Sequence, residues 1–415
     1  MTEIHGDCAA GFEPVRAAFE ENFAARGEIG AAFSVTRHGE TVVDLWAGWA
    51  DPDRTIPWRA DTLTNVWSTT KGMTALCAHH LADAGALDIE APVAKYWPEF
   101  AAAGKRDIPV RWLLSHRSGV TGIGLDRPVK VEELYDWDHI TGLLAAQPPL
   151  FEPGTASGYH ALSFGFLVGE VIRRASGQDV RAYFAEHIAG PLDADFRIGL
   201  DSDDDLARCS TLVEPVLSAE MKTALTQAFA NAGPAALAAL ANPRVQGRDA
   251  NEPGWRRAIL PALNGHGTAR AIAAIYGALA SGRLLSAGAL ATAREGQGRE
   301  ADVVGGLGNE WALGFYLGSE ERGFGPNPRA FGHDGLGGSS GGADPESGIA
   351  FGYTMNRMGP LMRDDPRKMA LVNATFAAPA LVSGGGGGLP PRPPTSPRGG
   401  APPRGAPGQR AGALG

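Results

Sequence analysis

Ser68-Thr69-Thr70-Lys71 sets a hydroxyl and an amine three residues apart in a 415-residue chain that holds only six lysines. A hydroxyl is a weak nucleophile until a neighbour takes its proton. Residues i and i+3 of a helix share a face, so a helix beginning here brings the Lys71 amine beside the Ser68 oxygen. The helix N-terminus favours developing negative charge, and burial would lower the Lys71 pKa toward that of a useful base. Alone the spacing is weak, since about one Ser-x-x-Lys arises by chance in a chain this long. The bland meaning is a surface lysine on an amphipathic helix.

Two further stretches add weight. Phe151-Glu152-Pro153-Gly154 leads through Ser157-Gly158 to Tyr159. A Pro-Gly turn ahead of a helix holds a phenol in a defined place, where it can relay a proton. In isolation a packed tyrosine at a helix start is the simpler reading. The third stretch is His333-Asp334-Gly335-Leu336-Gly337-Gly338-Ser339. It falls where a late strand should run, and its glycines would let a substrate approach the backbone closely. The competing meaning is a flexible glycine loop.

The elements that must position these groups follow from periodicity. Ala9–Arg26 reads as a helix with Phe12, Val15, Phe19 and Phe23 near one face. Gly30–Arg37 and Thr41–Trp49 read as strands joined by a His38-Gly39-Glu40 turn. Thr69–Ala84 reads as a helix capped by Gly85. From about Val110 to Leu240 the pattern is mostly helical, with Val131–Ala146, Ala161–Ala175 and Leu217–Ala230 as examples. Strand character returns at Trp311–Leu317, Arg329–Gly332 and Ile349–Asn356, before a closing helix over Pro366–Ala377. The expected class is α+β: an antiparallel sheet flanked by helices, its two chain ends paired, with a mostly helical insertion. The expected division is a sheet domain of residues 1–105 and 255–380, and a helical domain of 106–254. Ser383–Gly415, rich in Gly, Pro and Arg, is expected to be a disordered tail, with partner binding through proline as the alternative.

Composition narrows the function. At 44% apolar and 20% charged residues the chain suits a globular protein. A net charge of -9 without a basic cluster argues against nucleic-acid binding. Cys8, Cys77 and Cys209 make neither a disulfide framework nor a zinc cluster, and they suit a reducing, cytoplasmic setting. No run of about 18 apolar residues predicts a membrane span, and Met1–Arg16 lacks the pattern of a signal peptide. His79 and His80 are adjacent on a helix and point apart, so no metal site is expected, and no motif implies a cofactor. Nothing in the pattern sets an oligomeric state.

In this order the three stretches resemble the serine beta-lactamase and penicillin-binding-protein superfamily, closest to the class C beta-lactamase-like, or family VIII, carboxylesterases. The resemblance runs from about Glu28 to Ala378. Leu113-Leu114-Ser115-His116-Arg117-Ser118-Gly119 and Gly265-His266-Gly267-Thr268-Ala269 also look family-like, with His116 and His266 read as structural. The resemblance implies a beta-lactamase-like fold and Ser68 as the nucleophile. It implies Lys71 and Tyr159 as the base pair, and the backbone N–H groups of Ser68 and Leu336 as the oxyanion hole. His333, Asp334 and Gly335 would line the substrate site.

Two departures bear on the substrate. Tyr159-His160-Ala161 lacks the asparagine of the usual Tyr-x-Asn, and His333-Asp334-Gly335 stands where Lys-Thr-Gly is usual. Histidine removes a permanent positive charge, and Asp334, if it faces the pocket, repels anions. Both favour a neutral ester. The expected activity is therefore a carboxylesterase for small-molecule esters of short to medium chain. The alternatives are a beta-lactamase, a D-amino-acid peptidase or an amide hydrolase of the same fold, and a non-catalytic binding protein. Gly337-Gly338-Ser339-Ser340-Gly341 also matches Gly-x-Ser-x-Gly, but no histidine follows it, as the alpha/beta-hydrolase order requires.

Overall fold

A computed structural model of the chain describes residues 2–306, 308, 310–319, 323–360 and 365–382. The Ser383–Gly415 stretch read as a tail lies outside the described residues.

The strands are β1 (Ile4–Cys8), β2 (Gly30–Arg37), β3 (Glu40–Gly48), β4 (Thr64–Asn65), β5 (Phe196–Ile198), β6 (Gly265–Gly267), β7 (Tyr316–Leu317), β8 (Phe331–Asp334), β9 (Ser340–Asp344) and β10 (Ile349–Met355). Seven form an antiparallel sheet in the order β1-β3-β2-β10-β9-β8-β7, and a small sheet runs β4-β6-β5. The β2–β3 hairpin turns at His38 and Gly39, with φ of 50° and 86°. That is the left-handed pair a tight hairpin needs. β2 pairs with β10, Phe33 opposite Tyr353, so strands from opposite ends of the chain meet at the centre of the sheet. The fold is α+β, as expected.

Alternation along the central strands sorts residues to two faces. Phe33, Val35, Phe351 and Tyr353 join Val15 and Phe19 of helix α1 (Glu13–Ala25) and Leu371 of the Pro366–Phe376 helix in one core. Burying each such side chain contributes roughly 1.5–3 kcal/mol. The other face carries small residues against the Ala269–Ala280 helix. A side chain at Gly352 would run into the Ala269 carbonyl. A second core gathers Met73 and Leu76 of α2 (Thr70–Asp83) with Phe164 and Leu167 of the Ser163–Ser176 helix.

Four elements differ from the sequence expectation. β1 precedes α1; its alternation of half-buried and exposed positions is hidden in a short polar run. β9, Ser-Gly-Gly-Ala-Asp, is concealed by glycines that read as loop. The predicted strand over Trp311–Leu317 shortens to Tyr316–Leu317, because Trp311 and Tyr316 instead pair across a tight turn. The small sheet is not foreshadowed; its strands are only two or three residues long, too short for alternation to register. No described helix is long and apolar enough to cross a membrane.

Candidate active site

β4 delivers the chain to Trp67, whose φ of 49° is unusual for a bulky residue. Such a conformation persists only when its surroundings hold it. Trp67 is buried, its ring lies 5.4 Å from that of Trp255, and Trp255 Nε1 donates to Asn65 Oδ1 at 3.0 Å. Ser68 follows at the turn into α2, half-exposed, while its neighbours Trp67 and Thr69 are buried.

Lys71 sits one turn on and is fully buried. Its Nζ lies 3.0 Å from Ser68 Oγ and donates to the carbonyls of Ala161 at 2.8 Å and Ala262 at 3.1 Å. No carboxylate pairs with it among the described residues. Burial therefore acts unopposed and holds the Lys71 pKa well below the ordinary lysine value.

Tyr159 covers this amine, with Nζ 4.8 Å from its ring centre. The ring stacks on Trp311 at 5.6 Å and 13°, and His116 meets it edge-on at 5.1 Å. The Tyr159 amide donates to Asp302 Oδ1 at 3.1 Å. Asp302 also accepts from the amides of Val304 and Gly305. Tyr159 is thus held from its backbone and through its ring by Trp311 and His116, which meet each other at 4.2 Å.

The His333–Ser339 stretch lies against the Ser68 turn. Ser339 Oγ donates to the Val66 carbonyl at 2.7 Å, and a side chain at Gly335 would collide with that carbonyl and with Ser339 Oγ. Ser339 is fully buried in this wall, unlike the exposed serine of a nucleophile elbow. His333 is buried, with Nδ1 2.8 Å from the Asp334 carbonyl and its ring 4.8 Å from Tyr316.

Asp334 requires a correction. Its carboxylate accepts from Lys368 Nζ at 3.1 and 3.4 Å and from Ser340 Oγ at 2.7 Å. Neighbouring strand residues point to opposite faces. The charge is offset by a buried lysine, so the repulsion of anions expected of Asp334 does not arise.

His116, His160 and His266 are all buried. His116 accepts the His160 amide on Nδ1, and burial pushes its pKa well down. His160 bridges Ser118 Oγ and the Gly158 carbonyl, and burial lowers it to about 4. His266, on β6, is buried and pushed to about 3 by desolvation. Among the described residues no group of three or more metal-ligating side chains converges. Sequence reasoning missed Trp311, Asp302 and the two carbonyls that hold Lys71. The only available signal was tryptophan within a glycine-rich, aromatic stretch.

Residues 15–375 match the Beta-lactamase family model. The chain is 38% identical over 382 residues to Esterase/beta-lactamase LipL of Mycobacterium tuberculosis (strain ATCC 25618 / H37Rv), covering 87% of this chain and 85% of that protein. It is 31% identical over 192 residues to Esterase EstB of Burkholderia gladioli, covering 42% of this chain and 48% of that one. Its structure is similar to that of a family VIII carboxylesterase, with TM-score 0.85, 43% identity and coverage of 91% of this chain and 100% of that one. A penicillin-binding-protein homolog from Caulobacter crescentus follows at TM-score 0.83 and 37% identity, covering 91% and 100%. The chain belongs to the beta-lactamase family, as a serine hydrolase of the esterase/beta-lactamase type.

Proposed function

We propose that this protein is a carboxylesterase that hydrolyses short- to medium-chain esters through an acyl-enzyme on Ser68. The observation that carries the reading is the Lys71 amine: buried, held by two carbonyls, 3.0 Å from Ser68 Oγ and without a carboxylate partner among the described residues. A neutral amine has two N–H groups and one lone pair. With the N–H groups on Ala161 and Ala262, the lone pair is left for the Ser68 hydroxyl proton.

In the first half-reaction Ser68 Oγ bonds to the ester carbonyl carbon as its proton passes to Lys71. The oxyanion is received by the Ser68 and Leu336 amides. Collapse breaks the bond to the leaving alcohol, which takes the proton by way of Tyr159. Water then adds to the acyl carbon, gives a proton to the same pair, and Ser68 departs reprotonated. The three free cysteines suit a cytoplasmic setting.

Ala161 in place of an asparagine side chain and His333 in place of a lysine support an ester over a beta-lactam. The second reading, beta-lactam hydrolysis, draws on the name that the Mycobacterium tuberculosis relative bears. Hydrolysis of p-nitrophenyl butyrate and of a chromogenic cephalosporin, by wild type and Ser68→Ala, separates them. Strong ester turnover, slow cephalosporin turnover and loss of about a thousandfold or more in the variant are expected. Retained activity in Ser68→Ala would remove the nucleophile assignment, and comparable rates on the two substrates would remove the ester preference.

A further inference from the structure

The Gly335–Leu336 peptide lies in the glycine-rich part of the site just described. Glycines at 335, 337 and 338 flank it, with φ of +86° at Gly337 and +122° at Gly338, so the backbone has little of its own to resist rotation. The Gly335 carbonyl accepts from the Gly338 amide at 3.1 Å. In a trans peptide the C=O and N–H point in opposite directions. The Leu336 amide therefore points out of this turn. A flip of the peptide would turn a carbonyl oxygen to where that donor stands.

Two consecutive residues in the first turn of the Pro366–Phe376 helix grip the chain on either side of Leu336. On one side Lys368 Nζ donates to Asp334. On the other Arg367 Nη2 donates to the Gly337 carbonyl at 2.9 Å, an oxygen that also accepts from the Gly359 amide at 2.7 Å. Arg367 is itself locked. Asp365 takes its Nε at 2.9 Å and Nη2 at 2.6 Å, and Nη1 reaches Glu28 Oε1 at 2.8 Å and the Arg357 carbonyl at 2.7 Å. The second Glu28 oxygen accepts the Tyr353 hydroxyl. Glu28, Asp365 and Arg367 are all at most 5% exposed.

Burying three charges is unfavourable, and an apolar cluster of similar volume often serves stability as well or better. What such a network supplies in return is a fixed set of donors aimed at Gly337 and Asp334. We propose that Arg367 and Lys368 are positioning residues that hold the Leu336 amide toward the reacting carbonyl, acting through Gly337 and Asp334. The inference rests on the reading of Leu336 as an oxyanion donor.

The test compares p-nitrophenyl butyrate with its thionoester, in which C=S accepts hydrogen bonds poorly. Wild type is expected to favour the oxygen ester over the sulfur ester by more than hydroxide does in free solution. A wild-type ratio no greater than that of hydroxide removes the oxyanion reading itself, before any variant is made. Arg367→Lys keeps a positive charge but loses the planar fork. With far-UV circular dichroism unchanged, its kcat on the oxygen ester should fall about tenfold or more at near-constant KM, approaching the loss seen on removing one oxyanion donor. The oxygen-to-sulfur ratio should fall with it. Equal losses on both esters, or no loss, overturn the proposal and leave Arg367 a structural residue. Where Arg367→Lys does not fold, Lys368→Gln makes the same comparison from the other side of Leu336: a lowered oxygen-to-sulfur ratio supports the proposal, and an unchanged ratio overturns it.

Discussion

Lys71 Nζ lies 3.0 Å from Ser68 Oγ, and its other two partners are main-chain carbonyls rather than carboxylates. A cation in this position would lack a counter-charge. Burial in the folded state therefore favours the neutral amine, and desolvation pushes its pKa well below the ordinary lysine value. In the unfolded chain the same amine keeps the ordinary lysine value. Between the two values the unfolded chain carries one proton more, so stability rises with pH across that window. Lys71→Met should abolish ester hydrolysis and remove this pH dependence, while leaving the Ala161 and Ala262 carbonyls without their donor. Denaturant titrations at pH 7 and pH 9 measure it, the wild type gaining on the variant by up to ~1.4 kcal/mol per pH unit. A wild type that gains nothing on the variant as pH rises across that window would contradict the lowered pKa.

The same lowered pKa shapes the rate. The base is active only when deprotonated, so kcat/KM should climb as pH rises through the folded-state pKa of Lys71 and then level off. Because burial moves that value well below the ordinary lysine value of 10.5, the plateau should be reached well short of it. Initial rates on p-nitrophenyl butyrate, corrected for spontaneous hydrolysis, give the profile. A limb that tracks an ordinary lysine would count against Lys71.

Tyr159 is held by Trp311, His116 and Asp302 at points other than its hydroxyl. Tyr159→Phe should therefore keep the ring in place and cost about 10²–10⁴ in kcat, the usual scale of positioned acid–base catalysis, with little change in thermal stability. Trp311→Leu leaves the hydroxyl but removes the stacked surface. It should lower kcat less and broaden the substrate range. Equal, small effects from both would show that the phenol takes no part in proton transfer.

Gly335→Ala tests the wall between Ser68 and the late strands. The added methyl meets the Val66 carbonyl and Ser339 Oγ, neither of which can retreat without breaking the hydrogen bond between them. Overpacking of this kind costs typically ~1–3 kcal/mol. Activity should fall more than stability does, because the displaced segment carries Leu336. Wild-type kcat in the alanine variant would show that the two segments are not in fixed register.

Local rules made the first part of this protein readable. The short spacing of Ser68 and Lys71 is a local property, although α2 begins at Thr70 and Ser68 lies in the turn ahead of it, its carbonyl accepting from the Lys71 amide at 2.9 Å. The β2–β3 hairpin was legible for a similar reason: period-two alternation around His38-Gly39 needs no distant partner. Family-like stretches around Tyr159 and His333 gave the order of the motifs, and with it the fold.

Tertiary structure decided what depends on groups far apart in the chain. Lys71 is held by carbonyls 90 and 191 residues away, and a backbone carbonyl has no residue type by which a sequence could announce it. β9 was hidden because glycines that let a helix press against a sheet look like a loop. Whether the Asp334 charge bears on the substrate depends on Lys368, 34 residues on, which donates to it. Sequence determined which chemical groups are present and their local spacing, because those follow from bonded geometry. Folding decided which charges are neutralised, which amine loses its water and which backbone atoms hold it, because these depend on who is buried beside whom.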